Sequence, residues 1–177
     1  MTGNLTLASD NDPQLHGLTE RIREETEGST GWFRLGKLMI KLAKYSKAEE
    51  LHQILLEQKT SESQKAHLFY HLGYIKNDQG EYEKAIEFYE KSLEISQKTL
   101  PPNHPDLATS YNNIGLVYDN MDEYSKALSY YERSLDIRQH SLHHNHPDLQ
   151  DVRKNIEIVN KLRYVVALSN HYDDIRI

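Results

Sequence analysis

Four histidines towards the end of the chain are the residues best suited to bind a metal ion. His140, His143, His144 and His146 lie close together, and imidazoles at short spacing can ligate zinc or copper. His146, however, repeats His104, and both stand in an identical Asn-His-Pro-Asp segment. This repetition favours a structural role in a linker between helices, so the sequence predicts no metal site.

Adjacent carboxylates are the other side chains that could perform chemistry. Glu49-Glu50 and Asp173-Asp174 are such pairs, but they fall on a solvated helix face and in a terminal tail. No serine, histidine and aspartate stand together in a pocket-forming context, and no glycine-rich phosphate loop occurs. The chain has no cysteine, which excludes thiol nucleophiles, disulfides and Cys-based zinc sites. The sequence therefore predicts a protein that is not an enzyme and holds no cofactor.

Charge and hydropathy argue against two classes of partner. The formal net charge is −6, whereas nucleic-acid binding depends on cations that neutralise phosphates. No apolar run approaches the roughly 20 residues that span a bilayer, and the first residues lack the pattern of a signal peptide. We expect no nucleic-acid partner, no membrane partner and a cytoplasmic location, which the lack of cysteine fits.

A repeat organises the second half of the chain. Residues 81–107 and 123–149 carry the same order of tyrosine, alanine and leucine and the same His-Pro-Asp-Leu ending. Equivalent residues, such as Tyr82 and Tyr124, lie 42 positions apart. A fixed period in the range of roughly 20 to 50 residues is typical of a repeat array.

Apolar spacing and helix breakers divide the chain into elements. Apolar side chains recur three and four residues apart, which predicts amphipathic helices, and Gly80 and Pro101-Pro102 end two of them. The predicted organisation is a flexible tail over 1–11, a capping helix over 12–28, helix pairs over 29–62, 66–99 and 108–141, a terminal helix over 147–168 and a tail over 169–177.

The first and last regular helices carry apolar stripes that we expect to differ in burial. In the first helix we expect four side chains to face the core, namely Trp32, Leu35, Met39 and Leu42. In the terminal helix no later helix follows to cover the apolar face of Val159, Leu162, Val165, Val166 and Leu168. An uncovered apolar face invites a second copy of the chain, so a homo-oligomer formed through this helix is one alternative function.

The small and aromatic positions of the helix pairs resemble those of the tetratricopeptide repeat, a helix–turn–helix unit of about 34 residues. The longer period, the Asn-His-Pro-Asp linkers and Asn112-Asn113 resemble the kinesin-light-chain type of this repeat. The resemblance implies an all-α fold, a right-handed α-solenoid of antiparallel helix pairs. Small residues on both helices of a pair would permit close approach, and these are Gly36, Gly73 and Gly115 with Ala48, Ala85 and Ala127.

Four positions depart from the family pattern. Asp122 replaces a turn glycine, and Lys76 and His52 replace aromatic residues. Glu157 stands at the glycine position of the terminal helix, which lacks a second helix. We expect this helix to be a cap or the point where a longer array continues.

The resemblance also implies a binding site, because the first helix of each pair lines a concave groove in this family. Asparagine offers a donor and an acceptor to a peptide backbone, tyrosine offers rigid contact area, and cations favour acidic groups. The implied groove residues are Arg34, Lys37, Lys41, His67, Tyr70, His71, Tyr74, Asn77, Asn112, Asn113, Leu116, Asn120, Lys154, Asn155 and Lys161, with Phe33 and Ile158 beside them.

The predicted function is a non-catalytic scaffold that binds an extended peptide or partner segment, with acidic residues, in this groove. Phe33 and Tyr70 occupy two positions of the cation and asparagine clamp found in chaperone-binding members, so a chaperone tail is not expected. Two further interpretations stay open. The same side chains could be solvated helix faces, and the chain could be the interaction module of a longer multidomain enzyme or signalling protein.

Overall fold

A computed structural model describes residues 29–174, without the side chains of residues 29, 30, 33 and 170–174. The predicted tail over 1–11 and the predicted capping helix over 12–28 lie outside the described residues. Over 29–174 the chain forms helices and short connections and no strand, so the all-α prediction is confirmed. The helices are α1 Ser29–Lys41, α2 Tyr45–Glu57, α3 Glu62–Asp78, α4 Tyr82–Thr99, α5 Pro105–Asn120, α6 Tyr124–Ser141 and α7 Pro147–Asp174.

The chain divides between residues 60 and 61 into two compact units. In the first unit α1 packs against α2, and Leu35 and Met39 are buried as expected. Leu42 is exposed, so its predicted inward position is wrong. The reason is that α1 ends at Lys41, and beyond that residue the helical period no longer sets the direction of a side chain.

In the second unit each helix packs against the next one along the chain, from α3 to α7. We call α1–α2, α3–α4 and α5–α6 the first, second and third helix pairs. Helix α4 contacts both α3 and α5, and α6 contacts both α5 and α7. The core between the second and third pairs contains Ala85, Leu93, Leu107, Ala108, Ile114 and Val117.

A buried serine ties the two helices of both pairs together in the same way. The hydroxyl of Ser92 on α4 donates to the carbonyl oxygen of Ala66 on α3 at 2.8 Å. The hydroxyl of Ser134 on α6 donates to the carbonyl oxygen of Ala108 on α5, also at 2.8 Å. The repeat in the sequence is therefore a repeat of one helix–helix contact.

Glycine on the first helix of each pair meets a ring on the second helix. A Cβ atom at Gly73 would lie 2.7 Å from the Tyr89 ring, and one at Gly115 would lie 2.8 Å from the Tyr131 ring. In the first pair a Cβ at Gly36 would lie 2.5 Å from the imidazole of His52. These distances leave no room for a larger residue, which explains why the sequence keeps glycine at this position.

The turn between the two helices of each pair needs one residue with positive φ. These residues are Ala43 at 53°, Gly80 at 75° and Asp122 at 59°. Only glycine adopts this region without a steric cost, although aspartate tolerates it better than most residues. Asp122 also accepts a hydrogen bond from the Tyr124 hydroxyl at 2.6 Å.

The Asn-His-Pro-Asp segments begin helices α5 and α7. The backbone N–H of Asp106 donates to Nδ1 of His104 at 3.2 Å, and the N–H of Asp148 donates to Nδ1 of His146 at 3.2 Å. The proline that follows each histidine takes the first helical position, where its missing N–H costs nothing. Both histidines are therefore helix caps.

Helix α7 differs from its predicted form in two respects. It continues to Asp174, so the predicted end at 168 and the tail are corrected for residues 169–174, because no glycine or proline follows Pro147 to stop it. Val159 is fully buried in a cluster with Ala127 and Tyr131, so the expectation that it is uncovered is wrong. Residues 160–169 are exposed.

Candidate partner-binding surface

The residues expected to line a groove fall on α1, α3, α5 and α7. Arg34, Lys37 and Lys41 lie on α1 in the first unit and are exposed, while the side chain of Phe33 is not described. The other predicted residues lie in the second unit, on α3, α5 and α7. Their mutual geometry defines the surface described here.

Three exposed apolar side chains occupy the same position on three first helices. Tyr74 on α3 is 39% exposed, Leu116 on α5 is 39% exposed and Ile158 on α7 is 42% exposed. They are separated by one repeat period each. We call these three side chains the apolar row. Large apolar side chains exposed in register form a candidate contact surface.

A hydrogen bond between α3 and α5 lies on one side of the apolar row. Asn113 donates from Nδ2 to the Tyr70 hydroxyl at 2.8 Å. The Tyr70 ring packs edge-on against the Tyr89 ring, with centroids 5.6 Å apart. Burial raises the pKa of Tyr70, and the Asn113 bond opposes that shift. The phenol therefore stays neutral and holds the two helices side by side.

A second hydrogen bond between the same helices lies on the other side of the row. Asn120 donates from Nδ2 to Oδ1 of Asn77 at 3.2 Å. Residues three or four positions apart share a helix face, so Tyr74 is flanked on α3 by Tyr70 and Asn77. Leu116 is flanked on α5 by Asn113 and Asn120 in the same way. Tyr74 and Leu116 thus lie between two hydrogen-bonded polar pairs.

Adjacent asparagines on α5 have different surroundings. Asn113 uses one amide hydrogen for Tyr70 and keeps a second hydrogen and its carbonyl oxygen. The Oδ1 atom of Asn112 is buried and has no hydrogen-bond partner within residues 29–174. Its equivalent one period earlier is Tyr70, whose longer side chain reaches the next helix. A peptide-binding role for Asn112 therefore stays a prediction.

Comparison with known proteins identifies the helix pairs of the second unit. The sequence profile of the tetratricopeptide repeat matches residues 64–140. Residues 64–140 are tetratricopeptide repeats. Such repeats are protein–protein interaction scaffolds, and the family is generally non-catalytic.

Solved structures share the fold of these tetratricopeptide repeats. BtubC (BKLC) from P. vanneervenii superposes with a TM-score of 0.73 at 22% identity, over 93% of this chain and 74% of that one. A Podosopora anserina protein of the kinesin-light-chain type, with nearly identical TPR-like repeats, superposes with a TM-score of 0.65 at 19% identity, over 76% of this chain and 66% of that one. At these identities the likeness establishes the fold alone.

A sequence relative comes from Cyanophora paradoxa. The uncharacterized protein ycf37 is 35% identical over 83 residues, which is 46% of this chain and 48% of that protein. The chain thus spans about half the length of the curated relative it matches. None of the helices within residues 29–174 has the length and apolar character needed to span a bilayer.

Charged side chains lie beside the apolar row on all three helices, with Asp78 on α3, Asp119 on α5 and lysines on α7. Lys154 and Lys161 flank Ile158 and are exposed. Lys161 pairs with Glu157 at 2.6 Å, whereas Lys154 forms no ion pair inside the described range. Asn155 is half-buried on the same helix. This end of the row is therefore the one suited to an acidic group.

The histidines predicted on α3 contact atoms of their own helix. Nδ1 of His67 lies 2.8 Å from the carbonyl oxygen of Ser63, and the ring of His71 packs edge-on against Tyr70 at 5.9 Å. Asp119 on α5 is half-buried, and burial, followed by the nearby Asp122, raises its pKa. None of these contacts assigns a catalytic role.

The four histidines near the C-terminal end make separate contacts and do not converge on one site. His146 caps α7, and Nδ1 of His140 lies 2.7 Å from the carbonyl oxygen of Asp136 on its own helix. The rings of His143 and His144 lie 5.1 Å apart. Across the described part of the chain, no three histidine, aspartate or glutamate side chains are grouped so that they could hold a metal ion.

A cation–aromatic arrangement repeats in both tetratricopeptide repeats and was missed by sequence reasoning. In each, one ring from the first helix packs on a ring from the second, at 6.2 Å and 6.3 Å. A cation from the second helix lies over the ring from the first helix, 5.9 Å and 5.2 Å from its centroid. The 42-residue spacing was the available signal. The two sets are Phe69, Phe88 and Lys91, and Tyr111, Tyr130 and Arg133.

Proposed function

We propose that α3, α5 and α7 together bind an extended segment of a protein partner. The observation that carries this proposal is the apolar row, three exposed side chains in register, of which Tyr74 and Leu116 lie between two polar pairs. Apolar contact area supplies affinity, while asparagine amides at its border can pair with a peptide backbone. Lys154 adds a preference for acidic residues at the α7 end.

The proposal treats the chain as a scaffold and not as an enzyme. The surface consists of apolar side chains, tyrosines and amides, and its histidines contact backbone or ring atoms of α3. No general base on this surface contacts a nucleophile among the described residues. Binding and positioning of a partner are the tasks that such a surface can perform.

A triple variant tests this function. Tyr74→Ser, Leu116→Ser and Ile158→Ser together remove the apolar row, and we expect partner capture from native lysate to fall at least about tenfold. These side chains make no hydrogen bonds to other residues within 29–174, so circular dichroism and the melting midpoint should change little. Asn113 is a poorer target because its loss would also release Tyr70.

The matched control replaces three other exposed apolar residues, all on α7. Tyr164→Ser, Val165→Ser and Leu168→Ser lie beyond the row, and we expect this variant to capture the same partners as the wild type. If the row variant retains its partners, or if both variants lose them alike, the proposed surface is wrong.

Self-association through the end of α7 is a second candidate function. Tyr164 is 65% exposed, Val165 is 60% exposed, and Val166 and Leu168 are also exposed. A second copy could cover this apolar face. Sedimentation analysis across a wide concentration range should then show a dimer that the Tyr164→Ser, Val165→Ser and Leu168→Ser variant loses and the row variant keeps. A monomer at every concentration would rule this candidate out.

A further inference from the structure

We infer that Ser129 on α6 is a phosphorylation site whose phosphate group binds Arg133 and Lys126. Helix α6 carries no residue of the apolar row, so this inference does not depend on the proposed function. It follows from a comparison between α4 and α6, the second helices of the two tetratricopeptide repeats.

Four exposed acidic side chains follow one another along α4, and α6 keeps the acidic character of the last two. At the first two positions α6 has serine instead. The replaced residues are Glu83 by Ser125 and Glu87 by Ser129, and the kept positions are Glu90 with Glu132 and Glu94 with Asp136. A phosphorylated serine carries a charge of about −1.5 to −2, so modification would restore the missing negative charge.

On α4 the negative charge at the second of these positions has a partner. Nζ of Lys91 donates to Oε1 of Glu87 at 2.6 Å, and this hydrogen bond, followed by the charge of Lys91, lowers the pKa of Glu87. Lys84 stands three residues before Glu87 and is exposed, so cations lie on both sides of the carboxylate along the helix. The second pair thus shows that this position of the repeat stabilises a negative charge.

On α6 the cations remain and the carboxylate is missing. Lys126 and Arg133 stand three residues before and four residues after Ser129, and all three side chains are exposed. The Arg133 guanidinium donates to the Tyr111 hydroxyl at 3.2 Å and forms no ion pair with another described residue. Lys126 lies 3.5 Å from Glu123. A phosphate on Ser129 would therefore have two cations within one turn, one of them without a carboxylate partner in the described range.

One neighbouring carboxylate opposes the phosphate without preventing the pairing. Glu132 stands three residues after Ser129 and is exposed, and Glu90 has the same place relative to Glu87 on α4. The ion pair between Glu87 and Lys91 forms on α4 beside that neighbour. A phosphate carries more charge than a carboxylate and offers three acceptor oxygens to a planar guanidinium, so it should pair more strongly on α6.

Ser125 is equally replaced and exposed but has different neighbours. Asp122 and Glu123 stand three and two residues before it, and the residue four positions after it is Ser129. A phosphate on Ser125 would meet two carboxylates and lack an arginine one turn later. Ser125 is therefore the matched control for Ser129.

The beginning of α6 is suited to the local opening that a protein kinase needs. The N-cap Glu123 makes no side-chain cap bond and the first turn has no acidic residue, whereas Ser61 and Gln64 form a capping box at the start of α3. Opening of the first two turns exposes Ser129 in an extended segment. Its oxygen then bonds to the γ-phosphorus of ATP, the bond from that phosphorus to the ADP oxygen breaks, and the hydroxyl proton is released.

The first experiment measures the pairing in the full chain, with phosphoserine placed at position 129 by genetic-code expansion. We expect the melting midpoint to rise by about 2–4 °C relative to the unmodified chain. Arg133→Gln or 1 M salt should remove most of this gain, and Lys98→Gln, which removes an exposed cation near the other end of α4, should keep it. A gain that survives Arg133→Gln, or no gain at all, would overturn the pairing.

The second experiment tests whether cells modify the site. The full chain is incubated with native lysate and ATP, and mass spectrometry follows the tryptic peptide of residues 127–133, in which Ser129 is the one serine. We expect phosphate on this peptide, lost in Ser129→Ala and retained in Ser125→Ala. An unmodified peptide, or equal loss in both variants, contradicts the inference. Neither variant alters the apolar row, so failure of partner capture would overturn the proposed function alone.

Discussion

The second and third helix pairs have the same interior and different outer faces. Both carry the serine bond to a helix carbonyl and the glycine–tyrosine contact. On the outer face of the first helix, Tyr70 and His71 stand where the third pair has Asn112 and Asn113. Packing positions thus repeat because the same contact is formed twice. The surface positions are not bound by that contact, and Asn113 of the third pair instead donates to Tyr70 of the second.

One interior position breaks the rule. Lys76 is buried and pairs with Glu81 at 2.8 Å, whereas its equivalent Tyr118 stacks on Tyr130 at 5.4 Å. Hydrogen bonds from Lys76 and then from Lys84 lower the pKa of Glu81 to about 2. The turn of the second pair is therefore stabilised by an ion pair and the turn of the third pair by stacked rings. In both pairs the helix before the turn ends, and the helix after it begins, at equivalent residues.

The largest expected effect comes from the glycine–tyrosine contacts. Gly73→Ala and Gly115→Ala each force a Cβ against a buried ring, and overpacking of this kind costs about 2–3 kcal/mol. Urea denaturation should show similar losses for the two variants. A loss in one variant and not in the other would show that the two interiors are not equivalent.

A smaller loss is expected for the buried serine bonds. Ser92→Ala and Ser134→Ala should each lower the free energy of unfolding by about 1 kcal/mol, and the double variant should show the sum. Ser129→Ala, on the exposed face of α6, is the control and should leave stability unchanged. Unequal losses of stability for the two buried serines would mean that their surroundings differ although the two hydrogen bonds have the same length.

Substitutions at the three positive-φ residues should change the stability in different directions, depending on whether glycine is introduced or removed. Ala43→Gly should stabilise the chain by about 1 kcal/mol and Gly80→Ala should destabilise it by a similar amount, because only glycine avoids the steric cost. Asp122→Gly should change stability less, since it also loses the bond from Tyr124. Thermal melts of the three variants provide the measurement, and a destabilised Ala43→Gly variant would contradict the explanation.

The smallest effect at neutral pH, and one that grows in acid, concerns His52. Burial lowers its pKa below 6.5, and its bond to Ala48 opposes that shift. The unfolded chain takes up a proton near pH 6.5 and the folded chain does so only at lower pH, so stability falls as the pH drops below 6.5. Fluorescence of Trp32, the single tryptophan, should report a lower melting midpoint at pH 5.5 than at pH 7.5.

The matched variant is His52→Tyr, which gives the first pair the ring found in the other two. Its midpoint should lose most of the dependence on pH between 7.5 and 5.5. A dependence that survives in His52→Tyr would place the titrating group elsewhere in the first unit.

The sequence alone determined the helices, the period and the close contacts within each pair. The close contacts at Gly36, Gly73 and Gly115 could be predicted, because a position that has room only for glycine carries glycine in every repeat. The repeated Asn-His-Pro-Asp segments were likewise predicted to be linkers between helices, since local backbone geometry depends on residues a few positions apart. These features depend on residues that are close together in the chain, so a sequence pattern is enough to predict them.

Only the tertiary structure decided which polar groups find partners. The bonds from Asn113 to Tyr70 and from Asn120 to Asn77 join residues 43 positions apart, one more than the repeat period. They depend on how α3 and α5 are rotated against each other, and so does the burial of Val159 beneath α6. Helix rotation is fixed by packing across the whole interface, and no single segment of the sequence encodes it.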